Sequence, residues 1–132
     1  MLSLQLKNGM EDLKMDLKEL FLGGAIAPGI KTSLDSLINN ASKLMRVELV
    51  KPEKIVSRTT QSNIQAGTIY GFTGLVDYII KNMKQETGFT DAKVIATGGL
   101  SELVTQVDSG IINIVDRYLT LKGLQIIYKM NV

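Results

Sequence analysis

The chain has 132 residues, 45% of them apolar and 21% charged, the mix of one ordinary soluble domain with a core large enough to fold unaided. Its net charge of +2 is small and its Lys and Arg are scattered, so nothing electrostatic points to nucleic acid. The absence of Cys and His excludes structural zinc, thiol chemistry and a histidine base, and leaves a carboxylate-only oxygen site as the way to hold magnesium or a monovalent ion.

No apolar run approaches the roughly 20 residues of a membrane span. The first residues, Glu11, Asp12 and Lys14 among them, lack the apolar core of a signal peptide. The cytoplasm is the expected compartment, with neither membrane nor nucleic acid as partner.

Residues 1–20 read as an atypical segment set apart from a single domain over 21–132. Leu2, Leu4 and Leu6 alternate as in a strand, with Lys7-Asn8-Gly9 as a turn. Met10, Leu13, Leu17 and Leu20 then fall at helical spacing, in competition with a second short strand. From Gly23 to Gly29 the chain is small and apolar, open to close approach by another backbone or a ligand. Pro28 suits the first turn of a helix, whose apolar face is Ile30, Leu34, Leu37, Ile38 and Ala41 and which should fray near Ser42 to Met45. Val47, Leu49 and Val50 suggest an extended piece that Pro52 limits to an edge or a loop.

The longest helix is expected to start at Thr59 or Thr60, both good N-caps. Gly67, Gly71 and Gly74 share one side of it. Each interior glycine costs about 1 kcal/mol relative to alanine, so the stripe implies close packing, either on the domain's own sheet or at a subunit interface. Lys93 to Thr97 reads as a buried strand, closed by Gly98-Gly99 before a helix from Ser101 to Gln106. Ile111, Ile112, Ile114 and Val115 suggest another strand, and Leu119 to Met130 a last helix. Strands alternating with helices make the chain α/β. Tyr70, Phe72 and Tyr78 read as core or interface, and Asp77, Asp108 and Asp116 as separated surface or turn acids rather than a metal cluster.

Three ordered segments carry a resemblance: Leu22-Gly23-Gly24-Ala25-Ile26-Ala27-Pro28-Gly29-Ile30, then Thr59-Thr60 followed by Gly67, then Val94-Ile95-Ala96-Thr97-Gly98-Gly99-Leu100. With Val47 to Pro52 between them and Leu119 to Leu124 near the end, the chain resembles the type III pantothenate kinases, also known as the Baf (Bvg accessory factor) family, from about residue 21 onward.

The resemblance implies half of an actin-like, ribonuclease-H-like ATPase fold, with a mixed sheet and packed helices, and a homodimer or higher oligomer. It implies phosphoryl transfer from ATP to a hydroxyl of pantothenate, the first step towards coenzyme A, with a divalent ion and a monovalent cation such as potassium or ammonium. Thr60, or its neighbour Thr59, matches the threonine that contacts pantothenate across the dimer interface. Gly98 and Gly99 match a glycine turn on the nucleotide side, and Gly23 and Gly24 the lining of the interdomain cleft. Alongside these roles stand plainer ones: helix capping for the threonines, a tight turn for Gly98-Gly99, and backbone packing for Gly23-Gly24.

The family's Asp-x-Gly-Asn-Thr phosphate loop, its Gly-Ala-Asp-Arg motif with the expected base, and its Asp-Phe-Gly-Thr-Ala-Thr-Thr motif for ATP and the monovalent ion are not found in these 132 residues. No catalytic residue and no metal ligand is therefore assigned, and the chain alone is expected to be inactive and to bind none of these cofactors tightly. Three expectations follow. The chain is a truncated or misread kinase; or it is one half of a split kinase completed by a separately encoded N-terminal half; or it is a non-enzymatic dimerisation or regulatory module, as the family's older use for transcriptional activators would have it.

Overall fold

A computed structural model of the chain describes residues 21–41 and 44–131; the strand and helix expected within residues 1–20 lie outside them. Helix α1 (Ile30–Asn40) opens on Gly29, whose carbonyl accepts from the Ser33 N–H at 2.9 Å. Pro28 therefore precedes the cap instead of standing in the first turn. The helix also ends sooner than its apolar spacing suggested. Asn40 turns its amide back onto the Ser36 carbonyl at 2.8 Å and Ala41 is already extended, the usual competition of asparagine with the helical ladder. Of the expected apolar face, Ile30 and Leu34 are buried, Ile38 is half-buried and Leu37 is exposed.

Residues 44–59 form no strand. The extended piece expected at Val47, Leu49 and Val50 folds instead into a tight turn, with the Val50 N–H on the Glu48 carbonyl at 2.9 Å. Hydrogen bonds to the next two helices along the chain pin this loop. Gln65 donates to the Glu48 carbonyl and the Tyr70 hydroxyl to the Pro52 carbonyl, each at 2.9 Å, and Lys51 reaches the Gln106 carbonyl at 2.6 Å.

Helix α2 (Thr60–Thr87) is the long element, with Thr59 as N-cap and Gly88 as C-cap at φ +75°, a left-handed position that glycine takes without penalty. One face is buried: Ile64, Gln65, Ala66, Ile69, Thr73, Val76 and Ile80, at spacings of one, three and four. The two polar members are satisfied, Gln65 by the Glu48 carbonyl and Thr73 by the Ile69 carbonyl.

Beyond α2, strand β1 (Ile95–Ala96), helix α3 (Ser101–Val107) and strand β2 (Ile114–Val115) form one βαβ unit. The strands run parallel with Ile95 opposite Ile114 and Ala96 opposite Val115. Each is shorter than its apolar run, and both pair in one sense, so no antiparallel strand makes the sheet mixed among the described residues. Asn113 locks the entry to the pair, its side-chain oxygen accepting from the Val94 N–H at 2.7 Å while its own N–H donates to the Val94 carbonyl at 3.0 Å. Helix α4 (Leu119–Met130) closes the chain, as expected, but none of its side chains is buried.

The core joins Val76 and Ile80 of α2, Val94 and Ala96 at β1, Val104 of α3, and Ile111 and Ile112, with Phe72 packed against it. Each such side chain contributes about 1.5–3 kcal/mol when fully buried. Helix α2 packs on both α1 and α3, meeting Val104 of α3 in the cluster that holds Val76 and Ile80. No helix among the described residues is long and apolar enough to cross a membrane.

Candidate functional site

At the head of α2 the two candidate threonines separate. Thr59 is the cap: its hydroxyl oxygen accepts from the Ser62 N–H at 3.2 Å and also meets the Ser62 hydroxyl. Thr60 is the first helical residue, exposed, and its hydroxyl bonds to no other described residue. Helical spacing then puts Thr60, Asn63, Gly67, Gly71 and Gly74 on one stripe, at intervals of three and four. All five are exposed, on the side opposite the buried face.

The glycine stripe does not pack on the chain's own sheet. A side-chain carbon added at Gly67, Gly71 or Gly74 would meet no atom of the described residues within 4 Å. Of the two expectations for the stripe, close packing within the domain is therefore corrected, because the sheet and α3 lie against the opposite face of α2.

Beside the stripe runs a groove of about 360 Å³ between α1 and α2, with Pro28 and Leu37 on one wall and Asn63, Gly67, Gly71 and Leu75 on the other. Asn63 was not singled out from the sequence, although its place three residues after Thr60 and four before Gly67 was a readable signal. A wider hollow on α1 is lined by Pro28 and residues of that helix and Ala41 alone, and holds none of the candidates.

The glycine pairs lie apart from this groove. Gly98 has φ +99°, and Ser101 donates to its carbonyl at 2.7 Å, so the tight strand-to-helix turn is present and needs glycine at its first position. Gly99 is exposed and open around its α-carbon. Gly23 and Gly24 are likewise exposed with no atom against them, so close backbone packing within the described residues does not account for them. The structure therefore brings Thr60 to the stripe, whose Asn63, Gly67 and Gly71 border the groove, and leaves both glycine pairs outside.

The acids have turn and surface roles. Lys122, 2.7 Å away, and the Tyr118 N–H hold the Asp116 carboxyl below its ordinary pKa. Asp108 accepts from the Gly110 N–H at 2.8 Å, and Asp77 pairs with Lys81 one turn on at 2.6 Å, which raises the lysine's pKa. Arg117 pairs with Glu102. No group of three acids that could hold a metal ion exists among the described residues. Of the aromatics, Tyr70 is half-buried, Phe72 supports the core and Tyr78 is exposed beside the stripe.

Comparison with known proteins gives concordant matches. A family model described as type III pantothenate kinase matches residues 15–82, just over half of the chain. It starts at Met15, within the segment that reads as atypical. The type III pantothenate kinase of Geotalea daltonii is 51% identical over 111 residues, and that of Myxococcus xanthus 50% identical over 111 residues. In each case the alignment covers 84% of this chain and 43% of the relative, so the chain spans less than half the length of the relatives it matches.

Proposed function

The chain belongs to the type III pantothenate kinase family, and from that premise we propose that it supplies the C-terminal half of an enzyme that phosphorylates pantothenate with ATP in the cytoplasm. The carrying observation is the division of labour at the head of α2: Thr59 caps the helix, which frees the Thr60 hydroxyl at the top of a bare stripe. In this reading Thr60, not Thr59, hydrogen-bonds pantothenate. A second copy packs along Gly67, Gly71 and Gly74, where only hydrogen stands on the α-carbon, and Thr60 reaches across that contact. Gly98 and Gly99 serve the nucleotide side, and Gly23 and Gly24 the cleft between halves of an actin-like fold.

The described carboxylates do not come together as a set of metal ligands, since Asp77, Asp108 and Asp116 are each engaged with a different neighbour. The divalent ion and the potassium or ammonium of the intact enzyme would be held elsewhere, and no step through either is assigned to these residues. The base that takes the proton from the pantothenate hydroxyl, and the phosphate loop, belong to the family motifs that these 132 residues do not contain. What this chain contributes is positioning, a term large enough to govern phosphoryl transfer.

The test is a single polypeptide in which the part of the Geotalea daltonii kinase that this chain does not match precedes residues 15–132. Pantothenate-dependent release of ADP is expected. Thr60→Ala should raise KM for pantothenate about tenfold, the loss of one good hydrogen bond, while Thr59→Ala should lower stability first. A folded, ATP-binding chimera that leaves pantothenate untouched would defeat the enzymatic reading and favour a dimerisation module.

A further inference from the structure

The head of α2 is approached by a segment that does little to hold itself. Residues 53–58 link Pro52 to the Thr59 cap, and the only hydrogen bond they make among the described residues joins the Ser57 hydroxyl to the Lys54 carbonyl at 3.1 Å. Apolar packing does not anchor them either, since Ile55 is 63% exposed and Val56 88%. The segment is therefore placed by its two ends. One end is the cap, where the Thr59 hydroxyl accepts from the Ser62 N–H and the Thr59 carbonyl from the Asn63 N–H at 2.9 Å. The other is the Pro52 carbonyl, which accepts from the Tyr70 hydroxyl.

Tyr70 is well placed to set that second end. It belongs to α2 itself, ten residues beyond Thr60 and about 15 Å along the axis, and it is half-buried. Gln65 holds the Glu48 carbonyl from the same helix. At about 100° per residue the two side chains leave α2 roughly 140° apart. Residues 48–52 thus span the face between them, where Ala66 and Ile69 are buried apart from the main cluster. Loop and helix form one piece, and the direction in which the chain enters α2 is set from within that helix. Helix ends otherwise fray.

We propose that Tyr70 is a positioning residue for the substrate-binding hydroxyl. By holding Pro52 it keeps residues 53–58 in place and the Thr59 cap closed, and so fixes the direction of the Thr60 hydroxyl. Tyr70 acts through Thr60 and touches no substrate itself. This rests on the reading of Thr60 as the pantothenate ligand.

Tyr70→Phe removes the hydroxyl and keeps the ring. Thr87→Ala is the matched control, the loss of another hydroxyl-to-carbonyl bond at the far end of the same helix, 2.8 Å to Met83. In the 132-residue chain, Tyr70→Phe should speed amide hydrogen exchange at Ser62 and Asn63 about fivefold, the weight of one neutral hydrogen bond. Thr87→Ala should leave both amides unchanged. In the chimera described above, Tyr70→Phe should raise KM for pantothenate about fivefold and leave KM for ATP where it was. In a Thr60→Ala background the same substitution should add nothing, because its effect passes through that hydroxyl.

Unchanged exchange at Ser62 and Asn63 overturns the proposal, whatever the chimera does. Equal acceleration by Tyr70→Phe and Thr87→Ala also overturns it, and reduces Tyr70 to a contribution to stability. So does a KM effect that persists in full without the Thr60 hydroxyl, which would give Tyr70 a contact of its own. A parent chimera with no activity on pantothenate defeats the kinase reading instead, and the exchange comparison still decides whether Tyr70 sets the head of α2.

Discussion

Through α2, β1 and α3, the apolar side chains that face inward meet one another, and Val76, Ile80, Val94 and Val104 are nearly inaccessible to water. Helix α4 is at least as rich in Leu and Ile, and the described residues bury none of its side chains. The two regions have the same kind of sequence and opposite surroundings. Apolar periodicity therefore specifies that an element forms and which side it will hide, while the identity of what hides it lies elsewhere in the polypeptide or in another one.

The largest effect expected from this contrast is on stability. Ile69→Ala on the packed face of α2 should cost about 2–5 kcal/mol in urea unfolding, whereas Leu124→Ala on α4 should stay within about 0.5 kcal/mol. A Leu124→Ala loss of the same size as Ile69→Ala would mean that α4 is packed in solution, and the contrast would break.

Next comes the pair at the head of α2. Thr59→Ala should remove about 1 kcal/mol of helix capping, and Thr60→Ala should leave the melting curve of the 132-residue chain in place. Equal losses would show that the two hydroxyls share the cap.

Smaller, and of opposite sign, is Gly71→Ala. With no described residue within 4 Å of the added carbon, the substitution should stabilise the chain by about 0.5–1 kcal/mol while weakening self-association measured by sedimentation. A destabilised monomer would put a neighbour on the stripe within the chain.

The smallest effect is acid sensitivity at the β2–α4 junction. Asp116 has its pKa lowered by Lys122 and the Tyr118 N–H, so its contribution is complete above the unfolded carboxylate pKa, about 4. That contribution is lost as pH falls through the lower folded value. Asp116→Asn should remove that small contribution at neutral pH and meet the parent curve in acid, which flattens the limb below about pH 4; an unaltered limb would mean that the pair is not formed in solution.

What could be read in advance was local. The start of α2 was legible because a cap is made by neighbours in sequence, and Ser101 to Gln106 was found because Gly98-Gly99 marks the turn before it. The strands were over-extended because strand length is set by the partner: the apolar run of Ile111 and Ile112 pays into the core as loop, and only Ile114 and Val115 pair. Val47 to Val50 had strand chemistry and no partner among the described residues. At the site, the stripe was visible but its environment was not, and the choice between Thr59 and Thr60 turned on one residue of helix register, finer than spacing resolves.

The length of α2 has a mechanical corollary. From Thr59 to Val76 the helix rises roughly 25 Å at 1.5 Å per residue, and buried side chains from Ile64 to Ile80 hold it as one rod. Such a rod carries a tilt about a fulcrum at Val76 and Ile80 along its whole length to the hydroxyl at its tip. A tilt of about 5° at the fulcrum displaces the tip by about 2 Å on that arm, and displacements near 1 Å are enough to cost a reaction two orders of magnitude. Repacking around Val76 would therefore be felt at Thr60 as a loss of aim, in a variant whose threonine is chemically untouched.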